Sequence, residues 1–316
     1  MSTQKTIAVI GATGAQGNGL VRAILADPER RFIARAITRD VHSAKAQELA
    51  TLGAEVVAAD VDDEASLVRA LQGAHGAFFV TFFWDHFSPE REKAQVGNMA
   101  RAARTAGVKH AVWSTLEDTR LLVPLSDPRM PTLMGSYKVP HFDAKGESNA
   151  LFEAAGVPTT NLLTSFYWDN LIHFGMGPKP GPDGTLVFTL PMGDKHLAGI
   201  AAEDIGKCAF GLFAAGGEFI GKTVGIAGEF LTGTQMAAGL TEALGRQVVH
   251  YAPTPAEYRG YGFPGAEDLG NMFQVNQEFE KEHCGARSIE LSRHLNPQLQ
   301  DFQAWLVKNK DRIPLA

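Results

Sequence analysis

Near its start the chain contains Ile7-Ala8-Val9-Ile10-Gly11-Ala12-Thr13-Gly14-Ala15-Gln16-Gly17, a stretch that decides the fold. An apolar run is followed by three glycines at G-x-x-G-x-x-G spacing and then by a helical pattern. Glycine allows a tight turn and brings backbone N–H groups and a helix N-terminus close to a pyrophosphate, whose charge the helix dipole favours. The motif predicts a strand, a turn and a helix that bind a dinucleotide. The residues predicted to contact it here are Gly11, Thr13, Gly14, Ala15, Gln16 and Gly17.

From residue 6 to about residue 163, short apolar runs alternate with amphipathic stretches, which is the pattern of βα units around a parallel sheet. The predicted strands are residues 6–10, 32–38, 55–59, 77–80, 110–114 and 158–163. The predicted helices are residues 16–26, 43–51, 64–71, 89–106 and 142–155. The expected fold class is therefore α/β, a Rossmann-type doubly wound parallel sheet.

After about residue 164 the alternation weakens, and the Gly/Pro-rich stretch 175–184 predicts a surface loop. Beyond it we expect a helix starting near Glu203, another at 233–243, and further helices toward the C-terminus. The later strands are predicted at residues 186–190, 223–226 and 247–251. These elements are expected to form a smaller α+β lobe that closes over the carboxyl ends of the sheet. The predicted domains are residues 1–164 for the nucleotide and 165–316 for a substrate or partner, with the chain free to cross between them.

The composition excludes several classes of protein. Hydrophobic residues make up 45% and charged residues 20% of the 316 residues, as in soluble globular proteins. A net charge of −6 argues against direct binding of nucleic acid or anionic lipid. Cys208 and Cys284 form no C-x-x-C pair and the histidines show no H-E-x-x-H spacing, so no metal is expected. Neither a secretory pattern nor an apolar run of about 20 residues is present, so we expect a cytoplasmic protein without a membrane partner.

The end of the second strand bears on the choice of cofactor. An NAD-specific fold places Asp or Glu about 20 residues after the glycines, where it accepts from the ribose 2′-hydroxyl. Here the strand ends in Thr38 and Arg39. A planar cation suits a 2′-phosphate, so NADP(H) is favoured over NAD. The alternative is an ordinary solvated arginine next to Asp40.

The end of the third strand adds an adenine contact. The side chain of Asp60 and the backbone at Val61 are predicted to meet the amino group and a ring nitrogen of the adenine. Asp62 and Asp63 are instead expected to cap the next helix.

Several longer stretches carry a family resemblance. They are residues 11–17, 38–39, 53–57 and 81–85, together with His141-Phe142-Asp143-Ala144-Lys145-Gly146-Glu147 and Gly262-Phe263-Pro264-Gly265-Ala266. With these residues the chain resembles the NmrA-like family of atypical short-chain dehydrogenases/reductases, and within it the NADPH-sensing HSCARG-type subgroup. The resemblance implies a Rossmann-type domain that binds NADP(H), with Arg39 near the adenosine phosphate and Lys145 near the nicotinamide ribose. Some relatives use a lysine at this place in catalysis, whereas others bind the cofactor and act through protein partners.

Catalysis is an open question at the level of sequence. An ordinary short-chain dehydrogenase uses Tyr-x-x-x-Lys, in which the lysine lowers the pKa of the tyrosine, and this chain has no such pair. Lys145 is a candidate base, and His141, one turn earlier, is a candidate acid or orienting group. The alternative is that Lys145 only binds the ribose.

A substrate pocket is predicted at the carboxyl edge of the sheet, where ligands bind in open α/β folds. The aromatic stretch 81–87 supplies Phe83 and Trp84, and Thr81 and Phe83 are also expected to contact the cofactor. The other predicted pocket residues are Ser114, Tyr167 and Asn170. The stretch 116–136 is longer than usual and is predicted to be a lid.

Two functions follow. The first is a nucleotide-responsive redox sensor, in which NADP(H) orders loops and changes a surface for a regulatory protein partner. The second is an NADPH-dependent reductase of a small apolar or aromatic substrate that uses Lys145. Either protein is expected to be a monomer or a homodimer.

Overall fold

The computed structural model of this chain describes residues 4–181 and 183–315. In the first half, strands and helices alternate as the apolar pattern predicts. The strands are β1 (Lys5–Ile10), β2 (Phe32–Thr38), β3 (Glu55–Ala58), β4 (Gly76–Phe79), β5 (His110–Thr115) and β6 (Thr159–Leu163). The helices are α1 (Ala15–Leu25), α2 (Ala44–Thr51), α3 (Glu64–Leu71), α4 (Pro89–Ala106) and α5 (Pro140–Ala154).

The second half mixes short strands with helices. Its strands are β7 (Phe166–Tyr167), β8 (Lys179–Pro180), β9 (Leu186–Thr189), β10 (His196–Ile200), β11 (Thr223–Gly225), β12 (Glu229–Thr232) and β13 (Val248–Tyr251). Its helices are α6 (Asn170–His173), α7 (Ala202–Ala214), α8 (Gly233–Leu244), α9 (Pro255–Arg259), α10 (Ala266–Glu278), α11 (Glu280–Gly285), α12 (Ile289–Leu295) and α13 (Phe302–Asn309).

Capping residues explain why the early helices begin where they do. The Asp63 side chain accepts from the backbone N–H groups of Ala65 and Ser66 and starts α3. Ser88 caps α4, Pro89 occupies its first turn, and Gly107 ends it in the left-handed conformation. The predicted ranges 64–71 and 89–106 are therefore confirmed.

The main sheet has seven parallel strands in the order β3-β2-β1-β4-β5-β6-β11. One face packs against α1 and α7, and the other against α3, α4 and α5. The doubly wound α/β class is confirmed. The strand order reverses between β1 and β4, and a crevice forms outside the carboxyl ends of the strands at such a point.

One element lies elsewhere than the sequence predicted. The strand predicted at 223–226 was assigned to the smaller lobe, but β11 pairs with β6 and completes the main sheet. Val224 and Ile226 are buried in the same core as α1, and α7 packs on that helix too. The chain thus returns to the nucleotide-binding lobe after residue 200, where β11 covers the edge of β6 and α7 covers the apolar face of α1.

The smaller lobe has two three-stranded sheets, β12-β10-β7 and β13-β9-β8, and a core of its own around Trp168, Phe188 and Phe273. The predicted loop at 175–184 contains the short strand β8, which pairs with β9, while Pro182 lies outside the described residues. Within the described ranges, no helix has the length and apolarity to cross a membrane, and no group of metal-binding side chains occurs.

Candidate functional site

A cleft of about 1170 Å³ lies between the carboxyl edge of the main sheet and the smaller lobe. All of the residues predicted to contact the cofactor line this cleft, from the glycine turn through Arg39 and Asp60 to Lys145. His141 lines it as well. The topology therefore brings together residues that are far apart in the sequence.

The glycine turn has the predicted shape. Gly11 has a φ of +67°, which is a left-handed conformation, and its carbonyl accepts from the N–H of Gly14 at 2.9 Å. A Cβ on Gly17 would overlap the carbonyl of Gly11, so only glycine lets α1 approach the end of β1 this closely.

The N-terminus of α1 opens into the cleft. Gly14 is its N-cap and supplies no capping side chain, and the first backbone bond of the helix runs from Asn18 to Gly14. The N–H groups of residues 15–17 have no acceptor among the described residues. These donors and the positive end of the helix dipole form a cradle suited to a phosphate group.

Arg39 lies at the open end of the cleft. Its side chain is 69% exposed, and its Nη1 is 3.5 Å from Oδ2 of the exposed Asp85. Such a solvated pair is weak, so the guanidinium is available to an anionic ligand. Asp40 does not line the cleft, because its carboxylate accepts from the N–H of His42 in a local turn.

Asp60 lines the cleft at the end of β3, and one of its oxygens accepts from the N–H of Asp62 at 3.0 Å. Asp62 binds Arg91 and Gln95 rather than capping a helix. Asp63 is the cap of α3, as predicted. Val61 also lines the cleft.

Gln16 joins the glycine turn to the ends of two other strands. Its Oε1 accepts from Ser114 Oγ at 2.8 Å, and its Nε2 donates to the hydroxyl of Tyr167. Burial raises the pKa of Tyr167. Ser114 was predicted to line the substrate pocket, but it is buried behind Gln16 and does not reach the cleft. The physical reason is that Gln16 satisfies its hydroxyl inside the fold.

Lys145 is held by three oxygen atoms. Its Nζ lies 2.8 Å from Glu92 Oε1, 2.5 Å from Thr81 Oγ1 and 3.3 Å from the Thr81 carbonyl. It also lies 5.2 Å from the ring centroid of Trp113. Two hydrogen bonds to Thr81 and the ion pair with Glu92 therefore fix the side chain at the cleft wall.

Glu92, on α4, has a fully buried side chain. Burial alone raises its pKa, but the Lys145 ammonium and hydrogen bonds from neighbouring side chains outweigh burial and lower the pKa to about 2. His86 Nδ1 accepts from the N–H of Ser88, and its Nε2 lies 3.5 Å from Glu92 Oε2. Glu92 is therefore an anion that forms an ion pair with Lys145.

His141 is paired with α10. Its Nδ1 lies 2.6 Å from Asp268 Oδ1, and its backbone N–H donates to the other carboxylate oxygen. Its ring centroid is 4.7 Å from that of Trp84. Asp268 therefore fixes the orientation of the imidazole at the cleft wall.

The predicted aromatic wall is present. Phe83 lines the cleft but is only 2% exposed, because it packs against Trp84, His86, Phe87 and His141. Trp84, Tyr167 and Asn170 also line the cleft. Phe83 and Trp84 therefore form its wall and leave the space open.

Comparison with known proteins agrees with this geometry. The sequence profile of the NmrA-like family matches residues 3–306. The chain belongs to this family. The resemblance found in the sequence is thereby confirmed, and the finer assignment to the HSCARG-type subgroup stays a prediction.

The relatives of this NmrA-like chain span different activities. It is 26% identical to the NmrA-like family domain-containing oxidoreductase ptmS of Penicillium ochrochloron, over 97% of this chain and 98% of that protein. It is 28% identical to an NAD(P)H azoreductase of Xenophilus azovorans, over 82% of each. The structure of NmrA, a negative transcriptional regulator, in complex with NADP has a TM-score of 0.78 at 24% identity, covering 97% and 95% of the two chains. This last likeness shows the shared fold.

In this NmrA-like protein, the segment predicted to be a lid, residues 116–136, does not lie over the opening of the cleft. Of residues 116–136, only Leu116 lines the cleft. The Lys138 ammonium donates to the carbonyls of Asp127 and Met130, and Asn271 on α10 donates to that of Pro131. These bonds fasten the loop beneath α10, so it supports one wall and does not cover the opening.

Sequence reasoning missed several polar residues of the cleft region. Glu92 and Asp268 hold Lys145 and His141, but each lies on a helix in an ordinary acidic first-turn context. The G-F-P-G-A stretch that precedes Asp268 was the one available signal for it. Asn276 and His283, also on the cleft, belong to helices with no recognisable motif.

Proposed function

We propose that this protein is an NADP(H)-dependent reductase of small aromatic acceptors. The observation that carries the proposal is the open cleft, which runs from the glycine turn past Lys145 to walls of aromatic and apolar side chains. A cleft of this kind provides space for a flat ligand next to the cofactor. The azoreductase relative supports the same class of activity.

The adenosine end fits NADP(H). The unpaired N–H groups at the start of α1 suit the pyrophosphate, and the exposed guanidinium of Arg39 suits a 2′-phosphate. Asp60 has a carboxylate oxygen available to the adenine amino group. Lys145 faces the cleft at the place that the family resemblance gives to the nicotinamide ribose.

Bound NADPH supplies a hydride, so that NADPH, a quinone and one proton give NADP⁺ and a hydroquinone. His141 is the proposed proton donor, because it lines the cleft and Asp268 fixes the orientation of its ring. Lys145 is better suited to orient the cofactor than to act as a base. Its Nζ donates to both oxygens of Thr81 and lies 2.8 Å from Glu92 Oε1, so it is already engaged by groups of the cleft wall.

The test uses purified protein, NADPH and a panel of quinones, azo dyes, enones and aromatic carbonyls, without oxygen. Oxidation of NADPH, followed at 340 nm, is expected with at least one acceptor. His141→Gln is expected to lower kcat by about 100-fold, in the range for loss of a general acid, with little change in the Kd for NADPH. Unchanged turnover in this variant would remove His141 from the mechanism.

The redox sensor remains a second candidate because of one further observation. Phe82 and Phe174 are both exposed at the mouth of the cleft, with ring centroids 6.5 Å apart, and they come from the two lobes. A nucleotide bound between the lobes would act on this surface. Tight NADPH binding without turnover of any acceptor, together with unequal affinities for NADP⁺ and NADPH, would support the sensor and reject the reductase.

A further inference from the structure

The far end of the cleft, beyond the strand ends, is built by α10 and α11. Leu269, Met272 and Asn276 all line the cleft, and their spacing of three and four places them on one face of α10. Backbone bonds from Phe279 to Val275 and from His283 to Phe279 carry the helical period into α11. His283, seven residues after Asn276, therefore continues the same face, and it also lines the cleft.

This face ends in two polar side chains, each of which has one buried atom without a hydrogen-bond partner among the described residues. Asn276 is 2% exposed and its Oδ1 makes no hydrogen bond to the described residues. His283 is 5% exposed and its Nε2 is likewise unpaired. Buried polar atoms in folded proteins are nearly always hydrogen-bonded, and these two, unlike the unpaired atoms of Asn161 and Asn296, belong to residues that line the cleft, where a ligand can reach them.

Neighbouring charged groups determine which hydrogen bonds these atoms can make with a ligand. Arg287 donates to both oxygens of Glu117, to the carbonyl of Thr164 and to that of His283, so its guanidinium is fully used. His283 Nδ1 lies 3.5 Å from Glu117 Oε1, and the nearby carboxylate favours the tautomer that carries its proton on Nδ1 and has Nε2 as an acceptor. Burial, assisted by Arg287, lowers the pKa of His283, so the ring is neutral at pH 7.

Arg287 connects His283 to the carboxyl edge of the main sheet, because it donates to the carbonyls of both His283 and Thr164. The N–H of Thr164, whose carbonyl binds Arg287, donates to the carbonyl of Thr115 at the end of β5. The two acceptors thus lie at the carboxyl edge of the sheet, where the substrate of the proposed reductase would bind. Apolar side chains, including Leu269 and Met272, surround them.

We propose that this end of the cleft recognises a neutral hydroxyl group on an aromatic ligand, through acceptance by Asn276 Oδ1 and His283 Nε2. The ligand class is a phenol or a hydroxylated quinone. A carboxylate is disfavoured, because it would place negative charge against two acceptors while Arg287 is already neutralised by Glu117. The inference rests on the proposed function for the identity of the site as a substrate pocket.

The test measures binding of three naphthalenes by calorimetry to the full-length protein saturated with NADP⁺. 1-Naphthol is expected to bind about tenfold more tightly than 1-methoxynaphthalene, as expected for one or two neutral hydrogen bonds. Burial of the additional methyl group would by itself favour the ether, so hydrophobic binding predicts the opposite order. 1-Naphthoate is expected to bind most weakly of the three.

Two variants test whether the Asn276 side chain causes the preference for naphthol. Asn276→Leu is expected to abolish most of the naphthol preference and to raise Tm, because it removes an unpaired buried amide. Gln277→Leu is the matched control, since it makes the same change on the same turn at a residue that does not line the cleft, and it should keep the preference. A merely structural Asn276 would instead give a lower Tm with the preference unchanged.

The outcomes separate the two proposals. A wild-type protein that binds naphthol and its methyl ether equally would overturn this inference even if it oxidises NADPH with quinones. A clear naphthol preference without any turnover would leave the recognition site standing and reject the reductase. Turnover of a hydroxylated quinone in preference to its methoxy analogue, lost in Asn276→Leu, is the result expected if both are right.

Discussion

The two ends of the cleft are built in different ways. The adenosine end consists of the turn at residues 11–17 with Arg39 and Asp60, which follow three strands in chain order. The far end consists of side chains on α10 and α11, supported by Glu117 and Arg287. The first uses backbone groups and exposed charge, and the second uses buried side chains. The adenosine end thus depends on turns that directly follow strands, whereas the far end depends on packing between helices and loops that are distant in the chain.

The largest effect on stability is expected from Glu92 and Lys145, which form the junction between the two ends. Glu92→Gln removes the anion beside Lys145, and breaking this buried pair should lower the free energy of unfolding at pH 7 by about 3 kcal/mol. Urea denaturation followed by tryptophan fluorescence measures the change. Glu153→Gln, at an exposed position on α5, is the control and should stay close to wild type.

The same pair predicts a pH dependence. Folding lowers the pKa of Glu92 from 4.5 to about 2, so its contribution to stability is complete above pH 4.5. It is lost as the pH falls toward 2. The stability difference between wild type and Glu92→Gln should therefore shrink over this interval, and a difference that stays constant with pH would contradict the assigned charge of Glu92.

Arg39 tests the adenosine end alone. Arg39→Ala should weaken NADP⁺ binding by about 10-fold to 100-fold, which corresponds to loss of hydrogen bonds to a charged group, and should leave NAD⁺ binding nearly unchanged. Calorimetric titration with both nucleotides provides the comparison. Equal losses for the two would refute the 2′-phosphate contact and with it the preference for NADP(H).

A substitution at Gly17 tests the glycine turn of the adenosine end. Gly17→Ala places a Cβ against the carbonyl of Gly11 and should lower the free energy of unfolding by about 1 to 3 kcal/mol. Gly14→Ala is the control, because Gly14 has a negative φ and its Cβ would lie 3.2 Å from the same oxygen, which a small shift relieves. If both variants are equally unstable, steric overlap is not the reason for the glycine at 17.

Asp85 provides the smallest expected effect. Asp85→Asn removes a carboxylate 3.5 Å from Arg39 and should tighten NADP⁺ binding by about twofold to threefold at low salt. Raising the ionic strength should reduce the gain. Weaker binding in this variant would mean that Asp85 orients the guanidinium for its ligand.

Much of the first half follows from local pattern. The range of α3 is set by Asp63 and that of α4 by Ser88, Pro89 and Gly107, all of which are short-range signals. The place of β11 was mispredicted because strand pairing depends on long-range burial and not on a three-residue sequence. Ser114 was misplaced for a related reason, since its environment depends on Gln16, which is distant in the chain.

The sequence by itself determined the α/β class, the glycine turn and the positions of Arg39 and Asp60 along one sheet edge. These follow from strand and helix periodicity, and from the rule that the ends of parallel strands meet at one edge. Only the tertiary structure decided that Glu92 holds Lys145, that Asp268 orients His141, and that Asn276 and His283, each with an atom unpaired among the described residues, line the cleft. Such contacts join residues that are far apart in the chain, and hydrogen bonding and charge pairing depend on distances that no local pattern encodes.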